Sequence, residues 1–134
     1  MSAQQNIDIA RELLDGIANG RDPAEIAAPF ADDLSFEIQG DDGVLPWIGG
    51  KTGRVAMVDF MRDIRDLTEP VAFDVEDILA NDSRAVIVGS LQTRIKNTGK
   101  ITATQFAIIL TIANGLVSRF QMLEDSFDLS KAAR

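Results

Sequence analysis

The sequence predicts an α+β domain in which helices pack on one side of a strongly curved, mostly antiparallel sheet. Three observations lead there. Apolar residues recur at helical spacing in the first twenty positions and again before Leu67. From Val71 onward they recur at strand spacing, in long runs broken only by turn residues. Asn114-Gly115 lies between two apolar, β-branched runs, Ile101–Ala113 and Leu116–Glu124. That is the strongest short-range hairpin signal, because both central residues of such a turn need positive φ.

The elements follow in order. Over residues 3–18, Ile7, Ala10, Leu13, Leu14, Ile17 and Ala18 share one helical face, with Arg11, Glu12 and Asp15 off it. Ser2 and Gln5 have the spacing of a capping box, and Asn19-Gly20 ends the helix where a left-handed residue is wanted. Asp22-Pro23-Ala24-Glu25 supplies a second, short helix with an N-cap, a first-position proline and an early acid; Ala28-Pro29 stops it. From Phe30 to Gln39 the period changes: Leu34, Phe36 and Ile38 alternate with Ser35, Glu37 and Gln39, a half-buried strand. Gly40-Asp41-Asp42-Gly43 reads as a turn, and Val44–Gly50 as a short, irregular apolar segment holding the only Trp. Thr52 is positioned to cap a third helix running to about Leu67. Its apolar stripe is Met57, Phe60, Met61, Ile64 and Leu67, and Asp59, Arg62, Asp63, Arg65 and Asp66 form its charged face.

A four-strand meander comes next. Val71, Phe73 and Val75 alternate with Asp74 and Glu76. Asn81-Asp82-Ser83 turns into a strand over 85–95, and Asn97-Thr98-Gly99 turns into the strand that starts at Ile101. Strands of roughly nine to thirteen residues are longer than most, so the sheet must twist and curl. Two stretches, 85–88 and 106–112, are apolar on both faces, which is the pattern of strands covered on both sides. The helices can cover only one face. A second copy of the chain on the outer face, a two-fold homodimer, is the expected remedy.

Composition narrows the function. At 134 residues the chain fits one domain spanning 1–134, large enough to bury a core unaided. With 13 Lys and Arg against 21 Asp and Glu, the net charge of −8 disfavours nucleic acid and anionic membrane surfaces as partners. There is no Cys, His or Tyr, which removes disulfides, thiol chemistry, Cys/His zinc sites and the imidazole proton carrier. No metal or cofactor is expected, and acid–base chemistry falls to carboxylates, Lys, hydroxyls or water. The N-terminus does not have the pattern of a signal peptide, and no apolar run reaches the ~18 residues of a membrane span, so a cytoplasmic location is expected.

Two stretches carry a family likeness: Pro46-Trp47-Ile48-Gly49-Gly50 leading to Gly53 and Val58–Met61, and Gly115-Leu116-Val117-Ser118-Arg119-Phe120 with Glu124-Asp125-Ser126-Phe127. On these the chain resembles the SnoaL-like polyketide cyclases of the nuclear transport factor 2-like superfamily, together with the ketosteroid isomerases and limonene epoxide hydrolases. The likeness runs from the first helix to about Leu129. It implies a sheet wrapped by the three N-terminal helices into a cone (a cystatin-like α+β barrel) around an apolar pocket for a small hydrophobic molecule.

In the cyclases an Asp near the end of the last strand is the acid/base, and Asp125 matches it by position in the motif. A carboxyl held in apolar surroundings has a raised pKa and can take a proton from a carbon beside a carbonyl, an aldol-type step. The resemblance makes Phe36, Trp47, Met57, Phe60, Phe106 and Ile108 candidate substrate contacts, with Gln105, Gln121 or a hydroxyl such as that of Thr104 as a polar helper. The departures are as telling. Ketosteroid isomerases use a Tyr, which is absent here; limonene epoxide hydrolases use an Asp-Arg-Asp set, and Arg94 has no Asp two residues later; the His that many cyclase-like members carry on the penultimate strand is replaced near Ile108. One acid in an apolar cavity is what survives. Asp125 also has a plainer role open to it, since Asp125-Ser126-Phe127-Asp128-Leu129 reads as the capped start of a short last helix. Glu124, of opposite strand parity, is expected to face solvent or to be paired. A binding module without turnover and a dimeric interaction protein stay open as alternatives to an enzyme.

Overall fold

The computed structural model describes residues 2–40, 43 and 45–134; the Asp41 and Asp42 of the predicted turn lie outside the described residues. In chain order it contains α1 (Ala3–Ala18), α2 (Pro23–Ala27), β1 (Phe30–Ile38), β2 (Gly49–Thr52), α3 (Arg54–Leu67), β3 (Thr68–Ala80), β4 (Arg84–Ile95), β5 (Ile101–Ala113), β6 (Leu116–Leu123) and α4 (Ser126–Ala132). Local chemistry fixes several of these as the sequence predicts. Ser2 Oγ accepts from Gln5 N at 3.1 Å and Gln5 Oε1 accepts from Ser2 N at 2.8 Å, completing the capping box of α1. Asp22 Oδ1 accepts from Ala24 N at 2.8 Å at the start of α2. Asn114 and Gly115 both have positive φ, 54° and 79°, as the β5–β6 hairpin turn demands.

The strands form one six-stranded sheet in the order β2-β1-β6-β5-β4-β3. The predicted meander is its main body, with β3, β4, β5 and β6 paired in succession, all antiparallel. β1 joins the last strand in parallel register, Phe36 beside Phe120 and Ile38 beside Met122. The sheet is open: β2 and β3 are its edges, and it curves over the helices as a cone. Register shifts at Pro70/Ala72 and Val75/Asp77 in β3, and at Thr111/Ile112 beside β6, bend the long strands. Gly89 allows the tightest approach, because a Cβ there would collide with the Asp74 carbonyl oxygen and press on the Phe106 ring.

Three elements depart from the reading by sequence. Gly49–Thr52 is a short edge strand rather than irregular chain, paired with β1 alone. Two glycines in four residues carry no alternation signal, so backbone pairing alone reveals it. Thr52 consequently lies in β2, and the N-cap of α3 is Gly53 at φ 107° with no side-chain cap. β3 begins at Thr68, straight off the end of α3, instead of at Val71.

Helices α1 and α3 lie against the inner face. Beneath them Phe36 stacks on Phe120 (ring centroids 5.2 Å apart, planes 8° apart), Phe60 meets Phe36 edge-on at 5.5 Å, and Trp47 meets Phe60 at 6.0 Å. All four of these rings are buried. Among the described residues, neither α1 nor α3 covers the outer face. Two cross-strand rows run over it, Leu79–Val86–Ile109 and Val88–Ala107–Leu123, with Leu79 56% and Leu123 43% exposed. No helix among the described residues is long and apolar enough to cross a membrane.

Candidate functional site

A cleft of about 180 Å³ opens between the two long helices and the inner face of the sheet. Leu13 and Ile17 of α1 and Met57, Phe60, Met61 and Ile64 of α3 form one wall; Phe73, Leu91, Ile108, Phe120 and Met122 form the other. The helical stripe of α3 and the strand alternation of β4–β6 meet here, which is why the lining is apolar. Polar groups enter at one end, where Arg65 and Thr68 close α3 and Gln92 and Thr93 come from β4.

Of the substrate contacts expected from sequence, Met57, Phe60 and Ile108 line this cleft. Phe36 and Trp47 are buried behind Phe60 in the aromatic cluster, and neither lines it. Phe106 is buried and stacks under Phe73 at 5.0 Å; only Phe73 reaches the cleft. Gln105 lines a separate, shallow groove with Asp74, Ser90 and Thr104.

The two carboxylates at the end of β6 have different environments. Asp125 is exposed; its Oδ1 accepts from Asp128 N at 3.0 Å as the N-cap of α4, and its own N–H donates to Thr104 Oγ1 at 3.0 Å. Glu124 is half-buried, and its pKa is raised from 4.5 to about 7, first by burial and then by the neighbouring charge of Asp125. Strand parity explains the burial. Phe120 and Met122 pair with Leu110 and Ile108 and face inward, and Glu124 continues that face. The last β5–β6 pair is Ala107 with Leu123, and Glu124 is the first residue beyond it, on the Phe106 side. The solvent-facing position expected for Glu124 is thus not the one it holds.

Arg65, which the sequence pattern puts on the charged face of α3, lines the cleft. The spacing Met57-Met61-Arg65, four and four, was the available signal.

Residues 10–120 match the family described as the SnoaL-like domain. The chain belongs to that family. Solved structures agree on the fold of this SnoaL-like chain. An NTF2-like protein from Burkholderia xenovorans superposes with a TM-score of 0.88 at 22% identity, covering 100% of this chain and 99% of that one. A proposed isomerase from Rhodopseudomonas palustris gives 0.78 at 22% identity, covering 99% and 98%. A proposed SnoaL-like polyketide cyclase from Mesorhizobium loti gives 0.70 at 18% identity, covering 87% and 97%. No curated protein matches the chain. At these identities the likeness is one of fold, and the site's chemistry has to be argued from its own residues.

Proposed function

We propose that this SnoaL-like chain takes a small apolar carbonyl compound into the cleft and moves a proton on it, as a cyclase or isomerase does, with the Glu124–Asp125 pair as its acid/base. The observation that carries this reading is a half-buried carboxyl with a pKa of about 7 on the strand face that also lines the cleft. A group that is half-protonated near neutrality accepts a proton from a carbon beside a carbonyl and returns it elsewhere on the resulting enolate. Glu124 suits that work because burial has set its pKa. Asp125, exposed and engaged as the α4 cap, holds the pKa of Glu124 up by like charge. The absence of His, Cys and Tyr leaves a carboxyl as the natural carrier.

The test is deuterium exchange at the acidic α-carbon of 2-tetralone, an apolar ring ketone, in heavy water. The parent chain is expected to accelerate exchange over buffer, with the rate rising through about pH 7 as Glu124 ionises. Glu124→Gln is expected to abolish the acceleration. Asp125→Asn is expected to retain it and to shift the profile to lower pH. Acceleration that survives Glu124→Gln and dies in Asp125→Asn would reverse the two roles. Glu124 is not itself part of the cleft wall, which favours a second reading, binding without turnover. That reading predicts 2-tetralone binding with no exchange.

The outer face supports a homodimer. Its two apolar rows run from the β3 edge across β4 and β5 to β6, and their ends Leu79 and Leu123 are exposed among the described residues. Light scattering at micromolar concentration is expected to give twice the protomer mass; a monomer would remove the dimer. Leu79→Glu, at the exposed end of one row, is expected to shift the mass towards the monomer.

A further inference from the structure

Accepting the cleft as the binding site, we propose that its ligand carries a carboxylate, and that the guanidinium of Arg65 holds it. Arg65 sits in the last turn of α3 and lines the cleft. Its Nη1 donates to Arg21 O at 2.6 Å, which fixes the plane of the fork. Its Nη2 has no hydrogen-bond partner and is covered by the protein, so meeting a ligand takes a small turn of the side chain towards the cleft it lines. A buried charged donor left without an acceptor is costly, and such groups are normally satisfied. No carboxylate of the described residues lies within ion-pair distance of Arg65. Arg62, three residues earlier on the same helix, does pair, with Asp59 at 3.5 Å.

The surroundings select the chemistry of the missing acceptor. Lys96 is not part of the cleft wall, but its Nζ donates to Arg65 O at 2.9 Å and so adds a second positive charge beside Arg65, which favours an anion over a neutral carbonyl. A guanidinium fork matches the planar, two-oxygen geometry of a carboxylate. The remaining wall, from Met57 and Phe60 to Ile108 and Met122, is apolar. The ligand is therefore an amphiphile, an apolar body with an acid at one end.

Its orientation follows from the register. Lys96 N donates to Leu67 O, which places the Arg65 end of the cleft beyond Thr93 on β4. Glu124 follows the last β5–β6 pair, Ala107 with Leu123, towards Phe106, whose partner is Gly89. Thr93 lies four residues further along β4 than Gly89, roughly 13 Å. Arg65 thus anchors the far end of the molecule and leaves the end nearer Glu124 free to react.

Calorimetric titration of the full chain with 2-naphthoate and its neutral isostere 2-naphthamide tests this. The parent is expected to bind the carboxylate about tenfold or more tighter than the amide. Arg65→Met keeps an apolar stem of similar length and is expected to erase the preference, leaving the amide Kd unchanged within about twofold. Arg65→Lys, a point charge without the fork, is expected to keep a reduced preference. An undiminished preference in Arg65→Met would overturn the proposal, as would a parent chain that binds the amide as tightly. Equal loss of both compounds in Arg65→Met, with no preference in Arg65→Lys, would mark Arg65 as purely structural and overturn it too. Failure of both compounds to bind the parent chain would overturn the cleft reading and this inference with it.

Discussion

Glu124→Gln is expected to be more stable than the parent chain by roughly 3 kcal/mol at about pH 8, and to match it near pH 4. The folded pKa of Glu124 is about 7, above its ordinary 4.5, so the folded state holds a proton that the unfolded state has released between those values. Where the folded state binds more protons, stability falls as pH rises. Whatever the protonated carboxyl contributes is fully present below 4.5 and is lost through about 7. Gln imitates the protonated form, so the variant escapes that loss. Urea unfolding of both chains at the two pH values reads the difference, with the other carboxylates cancelling in the comparison. Equal stability at both ends would mean that Glu124 is better solvated than its inward position implies. Asp125→Asn removes only the weaker of the two causes, and Asn caps a helix as well as Asp does, so its gain at high pH is expected to be smaller than that of Glu124→Gln.

Much of the fold was legible because its signals are local. The capping box of Ser2 and Gln5, the proline start of α2, the alternation of Leu34, Phe36 and Ile38, and the Asn114-Gly115 turn each depend on residues within one turn or one strand. The parallel pairing of β1 with β6 was not legible. It joins Phe36 to Phe120 across the whole meander, and no short-range pattern records such a partner.

The site was less legible, for a related reason. Which carboxylate of Glu124-Asp125 turns inward depends on parity counted from Phe120, and the register shift between Thr111 and Ile112 breaks that count from the hairpin turn. The resemblance pointed to the end of β6 and to Asp125, whose local sequence equally described the helix cap that it forms. Arg65 was hidden differently. Four charged neighbours on α3 made it look like one more solvated residue, and only the position of β4 shows that the cleft ends there.

The aromatic residues give the sharpest test of core against cleft. Phe120→Ala is expected to destabilise the chain by about 3–5 kcal/mol, a large part of the stability of a domain this size. Phe120 is 1% exposed. It stacks on Phe36 at 5.2 Å and lies 6.0 Å from Phe60 and 6.3 Å from Phe30, so its removal leaves three rings facing a void at the β1–β6 junction. Phe127→Ala, at 63% exposure on α4, is expected to change stability by less than about 0.5 kcal/mol. Urea midpoints of the two variants measure the contrast. If Phe120→Ala were as mild as Phe127→Ala, the aromatic cluster would be a loose pocket lining. The expected large loss instead makes Phe36 and Trp47 the rigid backing of the cleft, with Phe120 joining that backing to the cleft wall it also lines. By sequence alone a ring in that backing cannot be told from a ring that touches ligand, since burial demands the same residue type of both.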